Sequence, residues 1–180
     1  MTKLDSKQLR NISLTEAQVL RDNIKRQPIY LILENVYDTY NIGGLFRLAD
    51  ALTVTKIFLC GQMEIPPNHK IKKASVGTYK IVPWTYKKTT IEAIRELRNE
   101  IIDIQIVAIE QSENSISYKK AKYTEPLALI VGNETFGVLP ETLDTADQIV
   151  EIPMWGINKS LNVIVSAAIV AYHISKSDRF

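Results

Sequence analysis

Ser160 and Asn162 lie in the stretch Asn158-Lys-Ser-Leu-Asn-Val163, directly after Ile152-Pro-Met-Trp-Gly156. An apolar strand is expected to end there and an apolar helix to begin, and unpaired backbone N–H groups collect at such an entrance. One short polar side chain suffices to cap a helix. Here a Pro, a Gly, two Asn and a Ser are supplied, and a second polar turn occurs at Gly132-Asn-Glu134. Two such turns point to a ligand site. Gly132 and Gly156 leave room for a flat ligand against the backbone, although tight-turn geometry accounts for either glycine taken singly. Arg47 follows Gly43 by one turn near an expected helix start, where a guanidinium and the helix N-terminus together suit a phosphate. Its plainer role is that of a solvated arginine.

The elements that must position these residues alternate. Apolar runs at Ile29–Leu33, Lys56–Cys60, Ile104–Ile109, Leu127–Val131 and Gln148–Ile152 read as strands, with a further short strand expected at Lys80–Val82 before Pro83. Helical spacing is seen from about Gly43, over Thr89–Glu100, over Leu139–Leu143 and over Leu161–Ser175, and a polar helix is expected from Ser6 to Arg26. Alternating strands and helices predict an α/β domain with a mainly parallel sheet. Ligands in such sheets bind outside the carboxyl ends of the strands. Three polar turns fall there, Glu34–Arg47, Gly132–Gly137 and Pro153–Asn162, with Glu110-Gln-Ser112 a weaker fourth. The scattered glycines form neither a dinucleotide fingerprint nor a Walker loop, which argues against both cofactor classes.

Composition narrows the field further. With 180 residues, 46% hydrophobic and 23% charged, the chain suits one globular domain. A net charge of +2 leaves any nucleic-acid role to local patches. Cys60 is the lone cysteine, so no intrachain disulfide forms, and His69 and His173 stand far apart without cysteine partners, so no metal is expected. The N-terminus lacks the apolar core of a signal peptide, and Leu161–Ile174 falls short of the roughly 18 apolar residues of a membrane span. A cytoplasmic protein with no membrane association is expected.

Three blocks, in order, resemble the SpoU branch of the SPOUT RNA methyltransferases, the TrmH-like 2'-O-ribose enzymes. They are Asn41-Ile-Gly-Gly-Leu-Phe-Arg-Leu-Ala-Asp50, then Leu129-Ile-Val-Gly-Asn-Glu-Thr-Phe-Gly137, then Ile152-Pro-Met-Trp-Gly156 with Ser160-Leu-Asn-Val163. Lys73-Ala-Ser-Val-Gly77 is similar to an intermediate segment of the family. The resemblance implies a C-terminal deep trefoil knot, which general rules of chain topology would not predict. It implies a SpoU-type methyltransferase domain over 28–180, which leaves the helical pattern over 1–27 as a short N-terminal extension. It also implies S-adenosylmethionine as cofactor, held by Ile109, Gly132, Ile152, Met154 and Leu161, and a homodimer with both subunits contributing to each site.

As catalytic residues the resemblance implies Arg47, Asn41, Glu134, Ser160 and Asn162. The matching arginine of the family is proposed to deprotonate the ribose 2'-hydroxyl, but a guanidinium is a poor base. The milder expectation is that Arg47 grips the adjoining phosphate and stabilises charge on the attacking oxygen. Asn41 is expected to orient the ribose or Arg47, with helix capping as its plainer role, and Glu134 to hold Asn41 or Arg47. Ser160 is expected to double as a helix cap. Leu52-Thr53 and Thr135-Phe136 depart from the family's usual pairs, and Phe136 is expected to alter the cofactor slot.

Basic residues interleave with aromatics at Lys70–Lys88 and at Tyr118–Tyr123, a pattern that suits phosphate contact with base stacking or simply a solvated surface. The expected function is methylation of an RNA ribose 2'-oxygen, with tRNA favoured over rRNA because the chain is compact. Base methylation is disfavoured by Asn41 and Arg47. A catalytically silent RNA-binding protein and an unrelated nucleotide-binding α/β enzyme are the remaining alternatives.

Overall fold

The computed structural model describes residues 3–175. Seven strands form one sheet: β1 (Gln27–Glu34), β2 (Val54–Cys60), β3 (Trp84–Lys87), β4 (Gln105–Ile109), β5 (Ile116–Ser117), β6 (Leu127–Val131) and β7 (Gln148–Glu151). Their order is β3-β2-β1-β6-β4-β7-β5, and every pairing is parallel. The helices are α1 (Ser6–Asn11), α2 (Leu14–Asp22), α3 (Thr39–Ala51), α4 (His69–Ser75), α5 (Thr90–Glu100), α6 (Pro140–Leu143) and α7 (Val163–Ile174). Among the described residues no helix is long and apolar enough to cross a membrane.

A parallel sheet must be covered on both faces, so its central strands read as unbroken apolar runs rather than alternating ones. In β1, Leu31 and Leu33 join α3, α4 and α7 on one face, while Ile32 joins Phe58, Ile130 and the Ala93, Ile94 and Leu97 stripe of α5 on the other. Leu31 stands opposite Ile57 and Leu129, so the inward-facing side chains of three strands line up in register. Each such side chain contributes about 1.5–3 kcal/mol on full burial. The helix α7 returns across the sheet to lie against α3, β4 and β6, an arrangement that a threaded tail requires.

Several boundaries differ from the expectation. The single helix over Ser6–Arg26 is two, because Ile12 adopts an extended backbone and Ser13 starts a new capping box with Glu16, as Asp5 does with Gln8. These helices close over Ile81 in a small apolar cluster of their own. Arg26 ties that end down by donating to the carbonyls of Val54 and Ile81, both at 2.9 Å. The lysine-rich segment contains α4, started by Asn68. Lys80–Val82 is not a strand: a 3-10 turn at Thr78–Lys80 precedes it, and the strand begins only past Pro83. Proline supplies no N–H to a ladder, and Pro83 instead accepts from Ile57 through its carbonyl.

The close approach of α3 to its neighbours depends on a glycine pair. A Cβ on Gly43 would overlap the Ala74 methyl and the Ser75 backbone nitrogen, whereas one on Gly44 would meet the flexible end of Ile164. Gly43→Ala is therefore expected to cost about 1–3 kcal/mol through overpacking, and Gly44→Ala to be near neutral. Thermal unfolding of the two variants checks the order, and equal melting temperatures would contradict this account of the α3–α4 contact.

Candidate functional site

The strand order reverses between β1 and β6, because the chain runs outward from β1 to β3 and then crosses back to β4. Loops leaving β1 and β6 separate there, which is where open α/β sheets build sites. The loop after β6 is closed by reciprocal backbone bonds between Asn133 and Gly137, both 3.0 Å. Asn133 adds its side-chain oxygen, which accepts from the amides of Thr135 (2.8 Å) and Phe136 (2.9 Å). Gly132 is required by this closure, since a Cβ would overlap the Gly137 and Val138 backbone. Its lack of a side chain thus serves the turn. Around Gly156 an added Cβ would meet nothing.

Glu134 projects from that loop toward the start of α3. Its carboxylate accepts from the amides of Tyr37 and Asp38, both at 3.1 Å, and from the Asn41 side chain at 2.9 Å. A carboxylate only accepts, so the amide of Asn41 must present its NH2 to Glu134 and keep its carbonyl free. That carbonyl accepts from Asn162 at 2.9 Å, and the Asn162 carbonyl in turn accepts from the Ile164 amide at 2.8 Å. One charge therefore sets the direction of a polar chain from the β6 loop through α3 to the start of α7. Burial would raise the Glu134 carboxyl, but the bonds from Asn41 and the backbone amides outweigh it and hold the group below its ordinary value.

Beside this chain lies a cleft of about 490 Å³. Glu134, Ser160 and Asn162 line it, as do all five residues expected around a cofactor: Ile109, Gly132, Ile152, Met154 and Leu161. Asn41, 6% exposed, stands behind Glu134 and Asn162 and not in the lining. Arg47 is also outside the lining, exposed and well inside α3. The helix starts at Thr39, capped by Asp38, so Arg47 does not share the helix N-terminus and Asn41 is no cap. Ser160 is not a cap either: Asn162 caps α7, and the amide of Ser160 donates to Asn158 at 3.2 Å. Phe136, 77% exposed, lines the cleft.

Glu110, in the weaker fourth polar turn of the sequence, has a larger role than that turn suggested. It lines the cleft, accepts from the Val138 amide at 2.8 Å, and so clamps the β6 loop from β4. Its sequence signal was a carboxylate opening a polar turn directly after an apolar strand. Glu151 lines the cleft too, and a carboxylate inside a strand run gave no sequence signal for it. Glu110, Glu134 and Glu151 give a lining of mixed polar and apolar side chains a negative rim, which favours a cationic ligand that makes both kinds of contact.

A family model described as the SpoU rRNA Methylase family matches residues 28–172. The chain is 29% identical over 156 residues to the tRNA (guanosine(18)-2'-O)-methyltransferase of Escherichia coli K12, covering 84% of this chain and 65% of that one. Among solved structures, the Aquifex aeolicus TrmH/SpoU tRNA modifying enzyme aligns with a TM-score of 0.73 and 31% identity over 88% of this chain and 80% of that one. The AdoMet-bound rRNA methyltransferase of Sinorhizobium meliloti aligns with a TM-score of 0.75 and 29% identity over 85% and 58%. The chain thus spans about two thirds of the length of the E. coli relative.

A carboxyl held below its unfolded value stabilises the fold at higher pH and loses that contribution as pH falls through the folded value. Glu134→Gln cannot accept from three donors at once, so it is expected to melt below the wild type at neutral pH. The gap should narrow as pH drops below roughly 4.3, the ordinary glutamate value. Melting temperatures of both proteins across acid pH check this, and a gap independent of pH would show that the charge contributes nothing.

Proposed function

Because the chain belongs to the SpoU rRNA Methylase family, we propose that it transfers a methyl group from S-adenosylmethionine to an RNA ribose 2'-oxygen. The observation that carries this reading is the Glu134–Asn41–Asn162 chain along one side of a cleft lined by Gly132, Ile152 and Leu161. The donor fits the residues present. Its adenine suits the apolar walls at Ile109, Ile152, Met154 and Leu161, and its sulfonium charge suits Glu110, Glu134 and Glu151. When bound, it supplies an electrophilic methyl group. The chain's own task is alignment: Asn162 and Ser160 orient the ribose, and Glu134 fixes Asn41 and hence Asn162. Holding the acceptor in line with the donor is worth orders of magnitude in rate, up to about 7–11 kcal/mol of barrier. No metal is needed for such a displacement.

Transfer RNA is the favoured substrate, supported by the names of the E. coli and A. aeolicus relatives. The S. meliloti relative supports rRNA as the alternative. A catalytically silent RNA-binding protein is less well supported, because Asn41, Glu134 and Asn162 are linked as a working set. Arg47 shares the exposed face of α3 with Tyr40, where it would hold the phosphate next to the target ribose. We assign residues 1–27 to an extension and 28–180 to the methyltransferase domain, supported by the small apolar cluster through which Ile12 and Ala17 dock on Ile81, apart from the two clusters flanking the sheet. A homodimer is supported by the exposed apolar side chains Leu161, Val165 and Tyr172 at α7. A cytoplasmic setting is supported by Cys60 being the lone cysteine, which leaves no intrachain disulfide to need an oxidising compartment.

Incubation with labelled S-adenosylmethionine and tRNA or rRNA is expected to label ribose 2'-oxygens, and donor binding without transfer to any RNA would overturn the reading. Arg47→Ala should lower kcat/KM by about a hundredfold. Arg47→Lys should lose rate uniformly across pH if Arg47 positions phosphate. A retained rate with a displaced pH limb would instead make Arg47 the base.

A further inference from the structure

A second cleft, of about 690 Å³, opens on the other side of the strand-order reversal, at the carboxyl ends of β1, β2 and β3. Its wall toward the first cleft is the loop after β1. Glu134 holds that loop through the Tyr37 and Asp38 amides, and the Asn133 side chain donates to the Asn35 carbonyl at 2.8 Å. A ribose beside Glu134 would therefore have the methyl donor on one side and this second cleft on the other.

The lining suits a flat neutral ring better than a bare phosphate. Lys88 is its one cation, set against the carboxylates of Glu34 and Glu141. Glu34 is occupied: it is buried and accepts from the Leu139 amide at 2.7 Å and the Thr142 hydroxyl at 2.6 Å. Tyr37 and Tyr86 line the cleft with rings 52% and 43% exposed, unlike the fully buried Phe46 and Phe58 of the core. The Tyr86 hydroxyl donates to the Gly61 carbonyl at 3.2 Å, which fixes the ring's tilt. Exposed aromatic rings on a site wall are stacking platforms for unpaired bases. The Gln62 and Glu141 side chains make no hydrogen bond among the described residues, leaving an amide and a carboxylate to meet a base edge. A carboxylate pairs with adjacent N–H donors, and guanine presents two side by side.

We propose that this second cleft seats the base of the nucleotide whose ribose is methylated, with Tyr37 and Tyr86 stacking on it and Glu141 reading its N–H edge. The proposal rests on the RNA 2'-O-methylation reading and adds the specificity subsite to it.

Two measurements test it. In the first, protein saturated with S-adenosylhomocysteine is titrated with GMP, AMP, CMP and UMP at millimolar concentration, followed by amide NMR. Shifts at Asn35, Tyr86 and Lys88, largest with GMP and absent at Gly132 and Leu161, are expected. No shift at those three amides with any nucleotide would overturn the proposal. In the second, Tyr86→Ala is expected to raise the KM for RNA by about tenfold, the low end of one stacked base, with donor affinity and Tm unchanged. Tyr86→Phe should restore it. An unaltered KM in both Tyr86→Ala and Tyr37→Ala would also overturn the proposal. Failure of the wild type to methylate RNA would count against the methyltransferase reading alone, since the nucleotide titration reads the cleft without turnover.

Discussion

One carboxylate organises the centre of this protein. Glu134 accepts from two backbone amides and one side-chain amide. Because it can only accept, it dictates which way Asn41 faces, and Asn41 dictates which way Asn162 faces. The loop after β1, the first turn of α3, the loop after β6 and the start of α7 are thereby held to a common point. Only the first two of these segments are neighbours in sequence. Their association exists because a parallel sheet returns every strand to the same edge, and because the reversal of strand order leaves a gap there.

The rest of the architecture keeps that point rigid. Unbroken apolar runs in β1, β2, β4 and β6 are sandwiched between α3, α4 and α7 on one face and α5 on the other. Interiors at this density transmit a displacement rather than absorb it. Gly43 lets α4 pack closely on α3, and Gly44 faces Ile164 of α7, the helix that Asn162 caps. Glu110 and Glu34 serve the same end from the second row: each reaches back to amides of the segment after β6 and anchors it to a different strand. Carboxylates accepting from backbone amides recur at three places around the clefts, and they make loops behave as parts of the sheet.

Two clefts of different character lie on opposite sides of one loop. The smaller mixes apolar side chains with amides, hydroxyls and carboxylates, and the larger carries aromatic rings and unpaired polar groups. Arg47 belongs to neither. It stands on the exposed face of α3, so anything it grips approaches from outside this subunit's clefts.

Strand runs such as Ile29–Leu33 and Leu127–Val131 announced a covered parallel sheet, because short continuous apolar runs alternating with helices suit strands buried on both faces. Three motif blocks in order announced the family and the positions around the cleft; their glycines serve helix packing and turn closure, while the asparagines and the glutamate form the polar chain. Local caps were legible but misplaced: Asp38 and Asn162 start α3 and α7, not the Gly43 region and Ser160, and the two boxes at Asp5 and Ser13 split one expected helix. Those errors arise because several residues near a helix start can each cap it, and only the path of the chain selects one. The tertiary structure alone decided that Asn41 lies buried behind Glu134, that Arg47 faces solvent, and that Glu110 clamps the β6 loop. Each depends on partners 28 to 121 residues away, a separation at which sequence pattern carries no distance information.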